Sequence, residues 1–224
     1  MSWITISLGG SLINPGVPDQ KFIRDFSKVI LSEVGKGKRF AVVCGGGVLA
    51  RDYQRAGREA GLPDSDLDWL GIYATYHNAH FVKAAFGDKA TGVIKNPSIK
   101  PAPLKSVVVS AGWKPGWSTD YVAVRLAKTL GSRILFNISS ADAVYNRDPR
   151  QYPNAKPFLE LAWTDMEKLL AQEWKPGLNA PFDPIAVRAA KKLDIKAKFI
   201  GRNMNNFSRA LSGKSFFGTL VNAH

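Results

Sequence analysis

Short apolar runs alternate with longer amphipathic stretches along almost the whole chain. The apolar runs predict buried β-strands, which fall at residues 3–8, 39–44, 105–110, 133–138 and 196–200. The amphipathic stretches have helical periodicity and predict helices at residues 19–34, 48–60, 68–86, 118–130 and 182–193. This alternation is typical of a mainly parallel sheet that is covered by helices on both faces. We therefore expect one α/β unit, with an additional edge strand from the closing FFGTLV.

Three of the predicted strands run directly into glycine-bearing turns that then open helices. The turns are Gly9-Gly10-Ser11, Gly45-Gly46-Gly47 and the stretch AGWKPGWS at 111–118. Ligands of open α/β sheets lie beyond the carboxyl ends of the strands, and glycine amides at a helix start attract anions. Three such turns predict either one extended, multiply charged ligand along this edge or two ligands side by side.

The charge balance of the chain favours an anionic partner. Lys and Arg together number 31 and Asp and Glu number 18, which gives a net charge of +13. This excess indicates a nucleic acid or a phosphorylated metabolite as ligand, or else basic helix faces that contact only water. The aromatic residues lie inside the hydrophobic patterns rather than between the basic residues, which disfavours nucleic acid as a partner.

Cysteine content and hydropathy indicate the expected compartment. Cys44 is the one cysteine in 224 residues, which excludes an intrachain disulfide and fits a reducing environment. No apolar run approaches the roughly 18 residues that a membrane span needs, and the chain begins on a strand-like pattern rather than a targeting segment. We therefore expect a cytoplasmic protein with no membrane partner.

Two common nucleotide-binding motifs are absent or fit poorly. The pattern GxxxxGK followed by Ser or Thr does not occur, which disfavours a P-loop nucleotidase. Gly45, Gly47 and Ala50 match the dinucleotide fingerprint loosely, with Asp68 about twenty residues later. Asp68, however, opens a predicted helix instead of ending a strand, so a dehydrogenase is also disfavoured.

Individual side chains after the second glycine turn and on the long helix are candidates for further chemistry. Arg51 lies four residues after Gly47, where its guanidinium could bind a phosphate that the loop amides also contact. Alternatively, Arg51 is an ordinary surface residue. His77 and His80 are spaced to place two imidazoles over one metal ion, but no third ligand lies near them in sequence. We therefore predict no metal site in the protein itself.

Six collinear stretches, spread over nearly the whole chain, resemble one protein family. They are ISLGGSL (6–12), AVVCGGGVLARDY (41–53), LDWLGIYATYHNAHFV (67–82), GWKPGWSTDYVA (112–123), NISSADAVYNRDP (137–149) and DPIAVRAA (183–190). Together they resemble the amino acid kinase superfamily and, within it, the archaeal-type uridylate (UMP) kinases. The resemblance implies the amino acid kinase fold, a three-layer α/β/α sandwich in a single domain over residues 1–224. It also implies an acceptor-nucleotide lobe at about 1–130, an ATP-binding lobe at about 131–224 and assembly into a hexamer.

The resemblance further implies that the γ-phosphoryl group of ATP is transferred to UMP in the presence of Mg²⁺, which yields UDP and ADP. Position by position, the implied UMP site consists of Gly46, Arg51, Asp68, Trp113, Lys114, Pro115, Gly116, Trp117, Ser118 and Thr119. The implied ATP site consists of Gly10, Ser11, Gly47, Arg51, Ser139, Tyr145 and Asp148. The implied catalytic residues are Asp120, Lys114 and Arg188. The two sites can serve one reaction only if residues 9–11, 45–47 and 113–119 line a common region.

Three positions depart from the family pattern. Ser7 stands where many relatives have a lysine, Arg188 replaces the lysine of a late DPxAxK motif, and Ala143 replaces a turn glycine. Lys114 would then supply a missing cation, because arginine and lysine are not equivalent at such a position. These departures leave two alternatives open: a sister kinase with another acceptor, and a non-catalytic protein that binds a nucleotide or an oxyanion.

Two of the implied roles also have simpler alternatives. Asp120 would organise nearby cationic groups rather than act as a base, because a phosphate acceptor is already anionic. Alternatively, Asp120 only caps the helix that it opens. Trp113 and Trp117 would form a wall against the pyrimidine, or they would pack against a neighbouring subunit.

Overall fold

The computed structural model describes residues 2–173 and 180–222, and most of its strands form one seven-stranded sheet. Within those residues the strands are β1 (Trp3–Leu8), β2 (Arg39–Cys44), β3 (Val107–Ser110), β4 (Ile134–Ile138), β5 (Val144–Tyr145), β6 (Pro157–Phe158), β7 (Glu160–Ala162), β8 (Lys196–Ile200) and β9 (Thr219–Asn222). The α-helices are α1 (Gly10–Ile13), α2 (Gln20–Gly35), α3 (Gly47–Glu59), α4 (Asp64–Phe86), α5 (Thr119–Leu130), α6 (Trp163–Glu173), α7 (Pro184–Lys192) and α8 (Met204–Leu211).

The strand order in the large sheet is β3-β2-β1-β4-β8-β9-β7. β1 pairs in parallel with β2 and with β4, so that Leu8 lies opposite both Cys44 and Ile138. β4 pairs in parallel with β8, and Ile138 lies opposite Ile200. These four strands therefore end at one level, and the loops that follow them share one edge of the sheet. The sheet is continuous across residue 130, and the division into two lobes stays a prediction.

Two apolar clusters cover the two faces of the sheet and account for the hydrophobic runs. Ile6 of β1 packs in a cluster with Phe26 of α2, whereas Val43 of β2 packs with Leu126 of α5 on the opposite face. Because helices cover both faces of a mainly parallel sheet, the predicted three-layer α/β/α sandwich is confirmed. Within the two described stretches of chain, no helix is both long and apolar enough to cross a membrane.

The main departures from the predicted elements lie in the second half of the chain. The closing strand β9 is not the edge strand that the pattern predicts, because it pairs antiparallel with β8 and carries β7 on its other side. β7 follows a proline-rich stretch and has only three residues. A strand this short gives no periodic signal in the sequence. Helices α1, α6 and α8 also lie outside the predicted set.

Candidate functional site

The glycine turns after β1 and β2 meet backbone to backbone at the shared edge of the sheet. A Cβ atom added at Gly10 would lie 2.2 Å from the backbone N of Gly47. One added at Gly47 would lie 2.3 Å from the backbone C of Gly10. Gly47 also has a φ of +63°, a conformation that disfavours residues with a side chain. Glycine is therefore required at both positions.

Helix α4 fixes two of the three turns through side chains that are one helical turn apart. Asn78 is buried and donates hydrogen bonds from Nδ2 to the carbonyl oxygens of Gly45 (2.8 Å) and Gly46 (3.2 Å). The hydroxyl of Thr75 accepts a hydrogen bond from the backbone N–H of Gly112 at 2.7 Å. One helix thereby holds the loop after β2 and the loop after β3 in a fixed relation.

A cavity of about 540 Å³ opens at the edge where these turns meet. Its wall is formed by the first two glycine turns on one side and by the loop after β4 on the other. Every residue predicted for the ATP site lines it, namely Gly10, Ser11, Gly47, Arg51, Ser139, Tyr145 and Asp148. Ser7, Asp120, Asn137 and Arg150 also line this larger cavity, and of these Asn137 and Arg150 were not identified from sequence.

A second cavity of about 370 Å³ lies between α3, α4 and the turn after β3. Of the residues predicted for the UMP site, this smaller cavity is lined by Gly46, Asp68, Lys114, Pro115, Gly116, Trp117, Ser118 and Thr119. Arg51 lines only the larger cavity, and Trp113 is in the lining of neither. Gln54, Gly71, Ile72, Thr75 and Gly112 complete the smaller cavity and were not identified from sequence.

The two cavities adjoin, because Gly46 and Thr119 line both of them. Residues 9–11, 45–47 and 114–119 therefore surround one composite region rather than unrelated pockets. This is the arrangement that the transfer of a group between two ligands requires.

Hydrogen bonds fix the turn after β3 at Gly116 and at Ser118. The carboxylate of Asp68 accepts a hydrogen bond from the backbone N–H of Gly116 at 2.8 Å. Gly116 has a φ of +80°, which explains the glycine of the Pro-Gly pair. Ser118 is the N-cap of α5, and its Oγ accepts a hydrogen bond from the backbone N–H of Tyr121 at 3.1 Å.

Aromatic side chains stack along the same turn. The rings of Trp117 and Tyr121 are stacked with centroids 4.1 Å apart, and Trp113 lies 6.3 Å from Trp117. The Nζ atom of Lys114 lies 4.5 Å from the centroid of the Trp113 ring and 5.9 Å from that of Trp117. The indoles therefore hold a cation in the lining of the smaller cavity. Within the one chain described, packing of these indoles against another subunit stays an alternative.

Asp120 joins three parts of the fold beneath the larger cavity. Its Oδ1 accepts hydrogen bonds from Ser7 Oγ (2.8 Å) and Asn137 Nδ2 (3.3 Å), and its Oδ2 accepts one from the backbone N–H of Asp183 (3.2 Å). Burial raises the pKa of Asp120 to about 6, and the charge of Asp183 acts in the same direction. The hydrogen bonds from Ser7 and Asp183 oppose this rise without cancelling it. Ser7, at the place of the missing lysine, is thus a neutral partner of this carboxylate.

The loop after β4 forms the far wall of the larger cavity. Ser139 Oγ accepts a hydrogen bond from the backbone N–H of Ala141 at 3.2 Å, which shapes the start of this loop. Tyr145 lies in the small β5–β6 hairpin, and burial raises its pKa. Asp148 forms a two-point ion pair with Arg150, with distances of 2.7 and 3.0 Å, and this guanidinium lowers the pKa of Asp148.

Other side chains that the sequence singled out lie apart from both cavities. Arg188 is exposed on α7 and lines neither cavity, although Asp183, the N-cap of the same helix, contacts Asp120. His77 and His80 are exposed on α4. Within residues 2–173 and 180–222, no group of three or more His, Cys, Asp or Glu could hold a metal ion.

Comparison with known proteins gives one consistent family. The model of the amino acid kinase family matches residues 2–201. The chain is 35% identical to uridylate kinase of Thermoplasma volcanium over 215 residues, which is 94% of this chain and 93% of that protein. It is 34% identical to uridylate kinase of Methanothermobacter thermautotrophicus over 223 residues, which is 97% of this chain and 98% of that protein.

Solved structures agree with the sequence comparison. The crystal structure of uridylate kinase from Archaeoglobus fulgidus is similar with a TM-score of 0.86 and 30% identity, over 99% of this chain and 100% of that one. Aspartate kinase from Synechocystis shares the fold, with a TM-score of 0.72 at 19% identity over 100% of this chain and 40% of that one. Family model, full-length relatives and three-dimensional similarity lead to one conclusion: this chain belongs to the amino acid kinase family.

Proposed function

We propose that the protein is a uridylate kinase, which transfers the γ-phosphoryl group of ATP to UMP and releases UDP and ADP. The observation that carries this proposal is the junction of the two cavities at Gly46 and Thr119. Full-length relatives of 30–35% identity that are named uridylate kinases support the choice of acceptor. A kinase of this kind must hold two phosphorylated ligands with their phosphates facing each other, and two adjoining cavities provide that arrangement.

The larger cavity is assigned to ATP. The phosphates of ATP would lie close to the junction, along the backbone of Gly10 and Gly47 and the hydroxyl of Ser11. Backbone amides at turns and at helix starts bind anions without the help of a side chain. Arg51 lines the same cavity and supplies a cation for these phosphates. Its adenosine would lie toward the loop after β4, where Ser139, Tyr145 and Asp148 form the wall.

The smaller cavity is assigned to UMP. The phosphate of UMP would lie at Gly46 and Thr119, next to the γ-phosphate of ATP. Its ribose would lie beside Asp68, and its base beside Trp117, whose indole is already held in place by Tyr121. Lys114, in the lining of the cavity, supplies the positive charge near the acceptor phosphate.

Phosphoryl transfer in this site requires alignment and charge neutralisation rather than a general base. An oxygen of the UMP phosphate bonds to the γ-phosphorus while the bond from that phosphorus to the β–γ bridging oxygen breaks, and ADP leaves. Negative charge spreads over the equatorial oxygens, where amides and cations stabilise it. Within the described chain, the cationic side chains that line the cavities are Arg51, Arg150 and Lys114.

Asp120 is assigned a positioning role, because its partners belong to β1, β4 and the start of α7. Its carboxylate fixes the floor of the ATP cavity relative to α5, the helix that Thr119 begins. Arg188 lies outside both cavities, and no step of the mechanism is assigned to it. Mg²⁺ is assigned to the substrate, since it would enter the larger cavity bound to the ATP phosphates.

Two broader properties belong to the same proposal. Two exposed aromatic side chains on α4, Trp69 and Tyr73, contact each other with ring centroids 5.9 Å apart and are suited to a subunit contact. We expect a homo-oligomer on this basis, with a hexamer implied by the family resemblance. The reducing environment that the single Cys44 favours leaves the cytoplasm as the expected location.

The proposal is tested by an assay that couples ADP release to a spectroscopic signal, with UMP, CMP, acetylglutamate and carbamate as acceptors. We expect turnover with UMP, with one UDP formed for each ADP, as measured by chromatography of the products. Turnover with another acceptor but not with UMP would assign the protein to a sister kinase. Binding of ATP without turnover of any acceptor would favour the non-catalytic alternative that Ser7 suggests.

A further inference from the structure

Gln54 of α3 lies in the smaller cavity rather than on the outer surface of its helix. Its side chain is partly buried, and its Nε2 donates a hydrogen bond to the carbonyl oxygen of Leu67 in α4 at 3.1 Å. This bond uses one of the two amide hydrogens. The second amide hydrogen and Oε1 have no hydrogen-bond partner among residues 2–173 and 180–222, so both are available to a ligand.

The position of Gln54 depends on a glycine in the facing helix. A Cβ atom added at Gly71 would lie 2.6 Å from Nε2 of Gln54 and 3.3 Å from its Cδ. Gly71 lies within α4, where glycine is less favourable than alanine by about 1 kcal/mol. The absence of a side chain at Gly71 therefore creates the space in which the Gln54 amide enters the cavity.

Gln54 and Asp68 together present a complementary set of hydrogen-bonding groups. Both residues line the cavity, and Asp68 directly follows Leu67, the residue that orients Gln54. An ionised carboxylate only accepts hydrogen bonds, whereas a carboxamide both donates and accepts them. Two adjacent hydroxyl groups, each a donor and an acceptor, match this pair.

We propose that Gln54, positioned by Gly71 and Leu67, binds the ribose hydroxyls of the acceptor and selects a ribonucleotide over a 2′-deoxyribonucleotide. This inference rests on the proposed function, which places the acceptor ribose beside Asp68. A site that pairs with a hydroxyl discriminates strongly against a substrate that lacks it, because its own polar groups are then left without partners.

The test compares kcat/KM for UMP and dUMP in the wild type and in Gln54→Leu, which keeps a similar volume but removes the amide. We expect the preference of the wild type for UMP to fall about 10-fold in the variant, as the loss of one hydrogen bond of about 1.4 kcal/mol implies. The variant should have a lower kcat/KM for UMP, whereas its kcat/KM for dUMP stays within about twofold of the wild-type value. Gln20→Leu, an exposed glutamine on α2, is the matched control and leaves the preference unchanged.

A second variant and a second measurement keep the test independent of folding and of turnover. Gly71→Ala leaves Gln54 in the chain but displaces its amide, and we expect the same fall in the preference for UMP. Calorimetric titration of UMP and dUMP gives the same ratio from binding alone. An unchanged ratio in both variants overturns the inference, and so does a shift in the ratio of UMP to CMP, which would place Gln54 at the base. Failure of the wild type to phosphorylate UMP, with the binding preference intact, would overturn only the proposed function.

Discussion

The two cavities differ in how much of their lining is backbone and how much is side chain. The larger one is bounded along one side by backbone, with Gly9, Gly10 and the 45–47 turn in its wall. The smaller one is bounded largely by functional side chains, among them Gln54 and Trp117. A ligand held by backbone amides is recognised through atoms that every residue has. One held by side chains is recognised through the identity of those side chains.

This difference predicts opposite sensitivities. Adding side-chain atoms at the backbone-lined end of the larger cavity should disrupt its structure, because the turns at Gly10 and Gly47 are already in contact. The smaller cavity should bind its ligand less tightly when side-chain atoms are removed, because its side chains supply most of the contacts. Gly71, which makes room for Gln54, is the exception. The substitutions below separate these two modes, in order of the expected effect.

Gly10→Ala should have the largest effect. The added methyl group would lie 2.2 Å from the backbone N of Gly47, a contact that no side-chain rotation relieves. We expect the free energy of unfolding to fall by about 3 kcal/mol, with loss of measurable ATP turnover. Thermal and urea denaturation measure the first effect. Gly35→Ala, which meets no atom within 4 Å, is the control and should change stability by less than about 1 kcal/mol.

Asp120→Asn tests a half-buried carboxylate of the larger cavity through pH. Burial raises the pKa of Asp120 from 3.8 to about 6, so the folded protein binds more protons than the unfolded chain between these values. The contribution of Asp120 to the free energy of unfolding should therefore fall as the pH rises from 3.8 to about 6, and it should be constant above that range. The expected change is about 2 kcal/mol, reduced from the full linkage value because the side chain is partly exposed.

The comparison for this prediction is the difference in unfolding free energy between wild type and Asp120→Asn, measured from pH 3.5 to pH 7.5 by denaturant titration. A difference that does not vary with pH would show that Asp120 has an ordinary pKa. A variation of the opposite sign would show that a cation, rather than Ser7 and Asn137, compensates its charge.

Trp117→Ala removes the proposed wall for the base in the smaller cavity. We expect KM for UMP to rise about fivefold, since an aromatic contact of this kind is worth about 1 kcal/mol, while KM for ATP stays within about twofold. Steady-state kinetics with each substrate varied in turn measure both values. Phe217→Ala removes an aromatic ring that is exposed outside both cavities, and it should change neither value. An equal rise in both KM values would contradict the separation of the two cavities.

Arg150→Ala should have the smallest effect. Arg150 is an exposed partner of Asp148 at the wall of the larger cavity, and exposed ion pairs contribute at most about 1 kcal/mol. We expect KM for ATP to rise about two- to threefold, with no change for UMP. Arg202→Ala, which breaks the exposed pair with Asp19, is the control. A loss of turnover at saturating ATP would instead assign Arg150 to the transferring phosphoryl group.

The central part of the fold was predictable because its signals are local. A buried strand such as β1 or β2 is a continuous apolar run in the sequence, and the glycines that follow it predict a turn that leads into a helix. The parallel order of these strands then places Gly10 and Gly47 at one edge of the sheet. β7 lacks such a signal, and β9 shows that an apolar run does not reveal which neighbours a strand will have.

The site was predictable only where residues lie on the glycine turns themselves. Asn137 and Gln54 reach the cavities through packing between elements that are distant in sequence, and in the sequence each resembles an ordinary polar residue. Arg188 shows the converse, because its motif position suggests catalysis whereas α7 directs it to the exposed surface. Arg51 lies on the predicted helix but lines only one of the two cavities to which it was assigned.

The close approach of Gly10 and Gly47 has a consequence for engineering this enzyme. Any redesign of the proposed phosphate-binding end would have to alter two loops at once, since neither Gly10 nor Gly47 has room for a substituent. The proposed acceptor side is less constrained, because several of its determinants are separate side chains on α3 and on the turn before α5. Libraries aimed at new acceptors can therefore vary Gln54 and the indole positions of that turn, and leave untouched the glycine pair, Gly116 and the helix cap Ser118.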